Sequence, residues 1–518
     1  MVLNLNFREK TSLNVITNIL RTLAMALIGI FMVPYYVGNL GVASYAILPL
    51  ATTMAAYIQI ISDSIANASV RYNTLAINSG NADEANVTLN SSFFGLGKVC
   101  LAIAPLGLVL AIVSPAIFSI TGSEWLEVQV LFGMIILSSL IVTVSTPFNG
   151  VFYATNDLYL MYLAKFAYSI AQVTTIILLF VISTPSLVGI GVGYFVSSLL
   201  IFILLIVLSK RIQKSMKISR KYYDRKVFKK IGNLGFWTIL EKVGGLMYIQ
   251  LSMILVNLYL GSEVQGGFAM IATIVSMVNT SCYALVDSVD PFIYKAYSNQ
   301  QSEELAQILY TATKIVTITM AFPVVFVMTF SEEFLTAWVG SDFLYLKDIM
   351  IIGLLGNYSY CAVTTLISVP RVYLKLKLIT AVTFIVGIAN AVLTVIFLGY
   401  LEGDVQTAIL VWAVCMFTIS AITETYDASI IGTKPYKFII PMALGYAIIA
   451  VCFPVLRWVH SILDIPPHWV PLIALLLVLM AAYFVITYTL LFTRKEKQMV
   501  KSLIPSKISK HLPEFSIR

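Results

Sequence analysis

The sequence predicts an all-α polytopic membrane protein, and three observations carry that reading. The 518 residues are 59% hydrophobic and only 11% charged, where soluble domains carry about 25% charged residues. Apolar stretches of about 20 residues, each long enough for a helix to cross a bilayer, recur along the chain. Lys and Arg are gathered into a few short connections, as the positive-inside rule requires of cytoplasmic loops. The net charge of +8 is therefore topological and does not point to nucleic acid.

Taken in order, the apolar stretches predict fourteen spans, at 12–37, 42–65, 89–120, 126–150, 157–183, 187–209, 233–259, 265–290, 305–330, 347–369, 376–399, 405–431, 438–459 and 469–493. The first is read as a retained helix: Arg8 and Lys10 precede it and no cleavage site follows it. Connections are short and rich in Gly and Pro, as in Gly38-Asn39-Leu40-Gly41 and Gly432-Thr433-Lys434-Pro435. None is long enough for a separate soluble domain. The segments divide as an N-lobe (1–209), a basic linker (210–230), a C-lobe (231–432), two further spans (433–493) and a basic tail (494–518) lying near the membrane surface.

The linker, Lys210 to Lys230, holds ten Lys or Arg and one acid, Asp224. Its first role is to mark the cytoplasmic face, and anionic lipid headgroups are a further fit for its cations. With the N-terminus placed in the cytoplasm, 26 of the 33 Lys and Arg fall in cytoplasmic segments, five inside spans, and two outside, at Lys347 and Arg457. The external connections carry ten acids, Glu124, Glu127, Glu263, Glu332, Glu333, Asp342, Asp348, Glu402, Asp404 and Asp464. An odd error in the span count would scramble this asymmetry, so both termini are expected on the cytoplasmic side.

An internal repeat near 220 residues underlies the two lobes. Gly41 matches Gly261, each opening a short external connection. Asp83-Glu84 matches Glu303-Glu304, Gly122-Ser123-Glu124-Trp125 matches Gly340-Ser341-Asp342-Phe343, and Lys98 matches Lys314. Six spans per half preserve orientation, so the halves are expected as parallel repeats, with the last two spans appended. Such repeats place a substrate site at their interface near mid-membrane.

The chemistry is sought in charges inside the spans, because a cation at the centre of one costs about 2.5–3.5 kcal/mol on insertion scales. Arg21, Lys98, Lys165, Lys242 and Lys314 all lie on odd-numbered spans at similar depth. One level of cations points to an electropositive, hydrated site for an anion, with Arg able to pair bidentately with phosphate. Plainer roles stand beside this. Lys98, Lys165 and Lys314 can snorkel along their stems. Lys242 can neutralise Glu241 or another acid, and Arg21 can bond backbone carbonyls or an acid. Of the acids, Asp63, Glu241 and Asp287 are candidates for ion coupling or ion pairing, and Asp290, Glu424 and Asp427 are also in or near spans. Tyr35, Tyr36, Tyr57 and Trp237 can stack on sugars or anchor the bilayer interface.

Enzyme signatures are absent. The only histidines are His460, His468 and His511, and no metalloprotease, Walker A or nucleophile-elbow motif occurs. The cysteines, Cys100, Cys282, Cys361, Cys415 and Cys452, form no CxxC pair, so neither a zinc site nor a disulfide framework is indicated. Sequons at Asn67, Asn86, Asn90 and Asn279 fall in helices or on the cytoplasmic side and carry no glycosylation argument.

The segments VPYYVGNLGVASYAIL (33–48), IQIISDSIANASVRY (58–72) and FLTAWVGSDF (334–343), with the duplicated six-span plan, resemble polysaccharide flippases of the Wzx type, in the multidrug/oligosaccharidyl-lipid/polysaccharide (MOP) exporter superfamily. That resemblance implies two helical lobes around a central cavity, alternating inward-open and outward-open states, and residence in a bacterial inner membrane. It implies transfer of an undecaprenyl-diphosphate-linked oligosaccharide, such as an O-antigen repeat unit of lipopolysaccharide, to the outer leaflet. By the same resemblance Arg21 and Lys242 meet the diphosphate, although the Glu241-Lys242 pair departs from a simple matching cation. The last two spans are similar to a pair that forms a lipid-tail groove in lipid II flippases. No cofactor is expected beyond a coupling Na+ or H+, and the partners are the lipid-linked oligosaccharide, membrane lipids and other polysaccharide assembly proteins. Two rivals stand: a cation-coupled multidrug antiporter, disfavoured by the surplus of deep cations, and a glycan polymerase or ligase, disfavoured by the lack of a large external loop.

Overall fold

The computed structural model describes residues 7–118, 124–232, 236–286, 293, 302–367, 369–370, 373, 375–463, 465–494 and 496–497. Among the described residues there are helices and no strands. In hydrocarbon, each backbone N–H and C=O must be satisfied within its own segment, and a helix does this. The chain divides into two compact units, Met1–Ala269 and Met270–Arg518.

The first unit contains α1 (Phe7–Leu40), α2 (Val42–Asn78), α3 (Ala82–Ile117), α4 (Trp125–Ser145), α5 (Asn149–Thr155), α6 (Leu158–Ile182), α7 (Leu187–Ile212), α8 (Arg225–Gly232), α9 (Phe236–Leu246) and α10 (Ile249–Leu260). A helix α11 (Ser262–Val286) carries the chain into the second unit. There α4 packs on α2, α3 and α7, and α6 on α1 and α7. Close approach is bought by small residues: a Cβ on Gly193 of α7 would overlap Ile176 of α6. A polar staple fixes α1 against the α5–α6 turn. Asn14 donates from Nδ2 to the Asn156 carbonyl at 3.1 Å and accepts from the Tyr159 N–H at 2.7 Å, and Lys10 pairs with buried Asp157 at 2.7 Å.

The second unit contains α12 (Ser302–Thr329), α13 (Ser331–Trp338), α14 (Lys347–Thr364), α15 (Leu376–Gly399), α16 (Val405–Ile431), α17 (Tyr436–Ile462) and α18 (Trp469–Leu491). Helix α12 packs on α14 and α17, and α16 on α14 and α15. The Tyr358 hydroxyl donates to the Thr317 carbonyl at 2.6 Å, and Gly445 of α17 leaves the space that ring occupies. Asp404 caps α16, accepting from the Thr407 N–H at 3.0 Å, and that bond holds its carboxyl below the usual carboxylate range.

Among the described residues twelve helices are long and apolar enough to cross a membrane, so the expected fourteen are not reached by that measure. The expected spans at 265–290 and 347–369 correspond to α11 and α14, which are helical but outside the twelve. In α14 the cause is burial: residues such as Asn357, Tyr358 and Ser359 face protein, so the helix need not be apolar. The expected seventh span is broken, with α9 and α10 meeting at Met247-Tyr248. The matched glycines share one backbone state, φ 80 and ψ 165 at Gly41 against φ 87 and ψ 171 at Gly261, each preceding a helix. That conformation is one L residues rarely adopt, so the duplication preserves a specific backbone requirement.

Candidate functional site

The five cations that the sequence places at one depth have quite different surroundings. Arg21 on α1 is half-buried and has no carboxylate partner among the described residues. Its Nη2 donates to Asn18 Oδ1 at 3.2 Å and Thr22 Oγ1 at 3.5 Å, both on its own helix, and its buried Nε has no partner. The guanidinium lies 5.6 Å from the centre of the Tyr162 ring on α6. One turn along α6 from Tyr162 stands the half-buried Lys165. Among the described residues no acid pairs with the Lys165 ammonium. Helices α1 and α6 pack on each other, so like charges on the two repel, and an anion between them would relieve that repulsion.

Lys242 on α9 is neutralised. Its ammonium contacts Asp63 Oδ2 on α2 at 3.3 Å, and both side chains are partly exposed. Thr143 of α4 donates to the other Asp63 oxygen at 3.4 Å. The expected partner Glu241 has a side chain outside the described residues, as are Asp287, Asp290 and the Trp237 side chain. Asp63 therefore serves here as an ion-pair partner. Three residues after Lys242 the helix loosens at Gly245, and the Tyr57 hydroxyl caps the freed Leu246 carbonyl at 2.9 Å. Broken helices at such depth are where transporters build binding sites, since freed backbone groups can meet a ligand.

Lys314 on α12 is corrected from anion contact to structural anchor. It is buried, 3.0 Å from Glu496 Oε2 and 2.7 Å from the Leu491 carbonyl, between the Tyr310 and Phe492 rings. Glu496 lies just after α18, a location in the basic tail that gave no hint of pairing in sequence. Lys98 is exposed, its ammonium 3.8 Å from the Tyr223 ring centre in the basic linker. In the second unit Glu424 and Asp427 lie one turn apart on α16, fully buried, with no hydrogen-bond partner for any of their four oxygens among the described residues.

Of the predicted residues, then, the structure brings together Lys242 with Asp63, and it sets Arg21 over Tyr162, one turn of α6 from Lys165. Sequence reasoning missed Asn14, Thr143 and Tyr162. Their signal, polar or aromatic residues inside apolar helices, was there but too common to single them out.

A family model described as "Polysaccharide biosynthesis protein" matches residues 13–296, more than half of the chain. The chain is 21% identical over 502 residues to the uncharacterized membrane protein EpsK of Bacillus subtilis (strain 168), covering 95% of this chain and 97% of that one. Among solved structures it is similar to the lipid II flippase MurJ in an inward closed conformation, with TM-score 0.65, 18% identity and 90% and 98% of the two chains covered. It is also similar to an inward-facing multidrug resistance MATE family transporter of the MOP superfamily, with TM-score 0.65, 13% identity and 80% and 98% covered. At such identities these structures establish a shared fold.

Proposed function

Because the chain belongs to the polysaccharide biosynthesis protein family, we propose that it is a flippase of the MOP type for an oligosaccharide carried on undecaprenyl diphosphate. The cargo would be the repeat unit of a surface polysaccharide, moved from the cytoplasmic to the outer leaflet of the inner membrane by alternating access.

The observation that carries this reading is the pair Arg21 and Lys165. Sugar hydroxyls and phosphate cannot enter hydrocarbon without partners. A diphosphate brings its own negative charge and several acceptor oxygens. Arg21 offers an unused Nε donor in a planar fork, and Lys165 a point charge one turn along α6 from the Tyr162 ring on which the guanidinium lies. The Asn18 and Thr22 side chains hold the guanidinium without neutralising it. Lys242 is a second contact that would have to leave Asp63 to reach an anion, while Lys314 has no such freedom. Coupling to Na+ or H+ belongs to the same proposal and is read from transport under an imposed gradient.

The test is transfer of a lipid-linked oligosaccharide across proteoliposomes by the purified full chain. Arg21→Ala should lower the rate about ten- to a hundredfold, the value of one charge-assisted phosphate contact of roughly 1.5–3 kcal/mol. Arg21→Lys should recover part of it. Unchanged transfer in a folded Arg21→Ala, Lys165→Ala double variant would remove the site assignment. Export of organic cations without glycolipid transfer would favour the antiporter reading.

A further inference from the structure

The linker between α7 and α8, which the sequence reads first as a marker of the cytoplasmic face, is strapped along α3 by side chains the proposed transport site does not use. Asn86 uses both ends of its amide: Nδ2 donates to the Ser215 carbonyl at 3.1 Å, and Oδ1 accepts from the Lys217 N–H at 2.8 Å. Asn90 repeats this one turn later, donating to the Lys217 carbonyl at 2.7 Å and accepting from the Ser219 N–H at 2.8 Å. Ser91 accepts from the Asp224 N–H at 2.9 Å. Higher along α3, Arg220 lies over Phe94, Phe228 fills the space a Cβ on Gly95 would take, and Lys98 lies over Tyr223. Met216 and Ile231 are buried beneath.

These contacts run from Asn86 to Lys98, about 18 Å of helix at 1.5 Å per residue. Helix α3 has 36 residues, about 54 Å by the same rise. A hydrocarbon core of about 30 Å takes about 20 of them. Measured from the Ile117 end, that core reaches Lys98. The strapped segment therefore begins at the hydrocarbon edge and runs outward from it. Its apolar side chains point to the protein, and all ten of its cations are exposed, with Asp224 the single acid among them.

Charge alone sets topology, and topology is indifferent to whether the loop backbone is ordered. The strap needs another reason. We propose that residues 210–230 form a preordered platform for the headgroups of anionic phospholipids at the membrane face that bears them. One diphosphate engages two or three donors, whereas ten exposed cations spread outward from the hydrocarbon edge fit a field of phosphates.

The experiment uses the full chain in phosphatidylcholine vesicles containing trace spin-labelled phosphatidylglycerol or phosphatidylcholine, and measures the fraction of each label immobilised by the protein. Phosphatidylglycerol should be preferred by about fivefold at low salt and fall to near parity at 1 M salt, where the screening length is about 3 Å. Lys221→Gln with Arg225→Gln, Lys226→Gln and Lys229→Gln, four exposed side chains that make none of the contacts to α3 described above, should at least halve the preference. Asn86→Ala with Asn90→Ala retains every cation and should lower it as far. An unchanged preference in that strap variant would overturn the proposal, as would no preference in the unaltered protein. So would binding of soluble polyglutamate in place of lipid. Should the strap variant fail to fold, amide exchange in the unaltered protein decides: protected N–H groups at Lys217, Ser219 and Asp224 support the platform, and rapid exchange there overturns it.

Discussion

Lys98 and Lys314 occupy matching positions in the duplicated halves, and they have opposite fates. In the first unit Lys98 is exposed and lies over a tyrosine of the linker. In the second, Lys314 is buried against Glu496, from the segment after the appended helices. The same cation stands at the matched position of each half. What differs is the chain that follows each half, a basic linker after one and an acid-bearing tail after the other. In the second half the cation is paired, whereas Arg21 and Lys165, with no acid partner among the described residues, stand in the first. The proposed anion site therefore draws on the first unit and not on Lys314.

The comparison is broken most sharply at Glu496. Glu496→Ala should cost about 3–5 kcal/mol in thermal unfolding, because it strands the buried Lys314 ammonium. Lys98→Ala, which removes an exposed cation–π contact, should cost about 0.5–1 kcal/mol. Equal losses would show that burial does not separate the two lysines. A Lys314→Met, Glu496→Leu pair should regain most of the stability, since two apolar groups replace two desolvated charges.

The second unit offers its own contrast. Lys314 and Glu496 satisfy each other, whereas Glu424 and Asp427 are buried without partners. Glu424→Met should therefore raise the melting temperature, by about 1–3 kcal/mol of relieved desolvation. A drop would mean that this carboxyl is held by a group that the static structure does not contain.

The smallest effect is expected at the surface cap. Asp404→Ala should cost about 1 kcal/mol. Since its folded-state carboxyl titrates below the usual range, the Asp404 contribution is complete above the carboxylate range and fades as pH falls through it. Stability curves of the unaltered protein and the variant should converge at low pH.

The sequence by itself settled the all-helical membrane fold and, through Gly41 and Gly261, pointed to one recurring turn. These are local matters. An apolar run of sufficient length has to be a helix in hydrocarbon, and a glycine with positive φ is needed wherever the same turn recurs. It also picked out the charged residues that lie inside the spans, because a charge inside a span is visible in one dimension. Which charges were spent on each other was decided only by tertiary structure. Lys242 meets Asp63 across 179 residues and Lys314 meets Glu496 across 182, while adjacent Glu241 was the obvious partner in sequence. Likewise Asn86 and Asn90 read as idle sequons until the linker was seen folded onto them. An ion pair depends on distances of a few ångströms between helices remote in the chain, and no periodicity or composition encodes those distances.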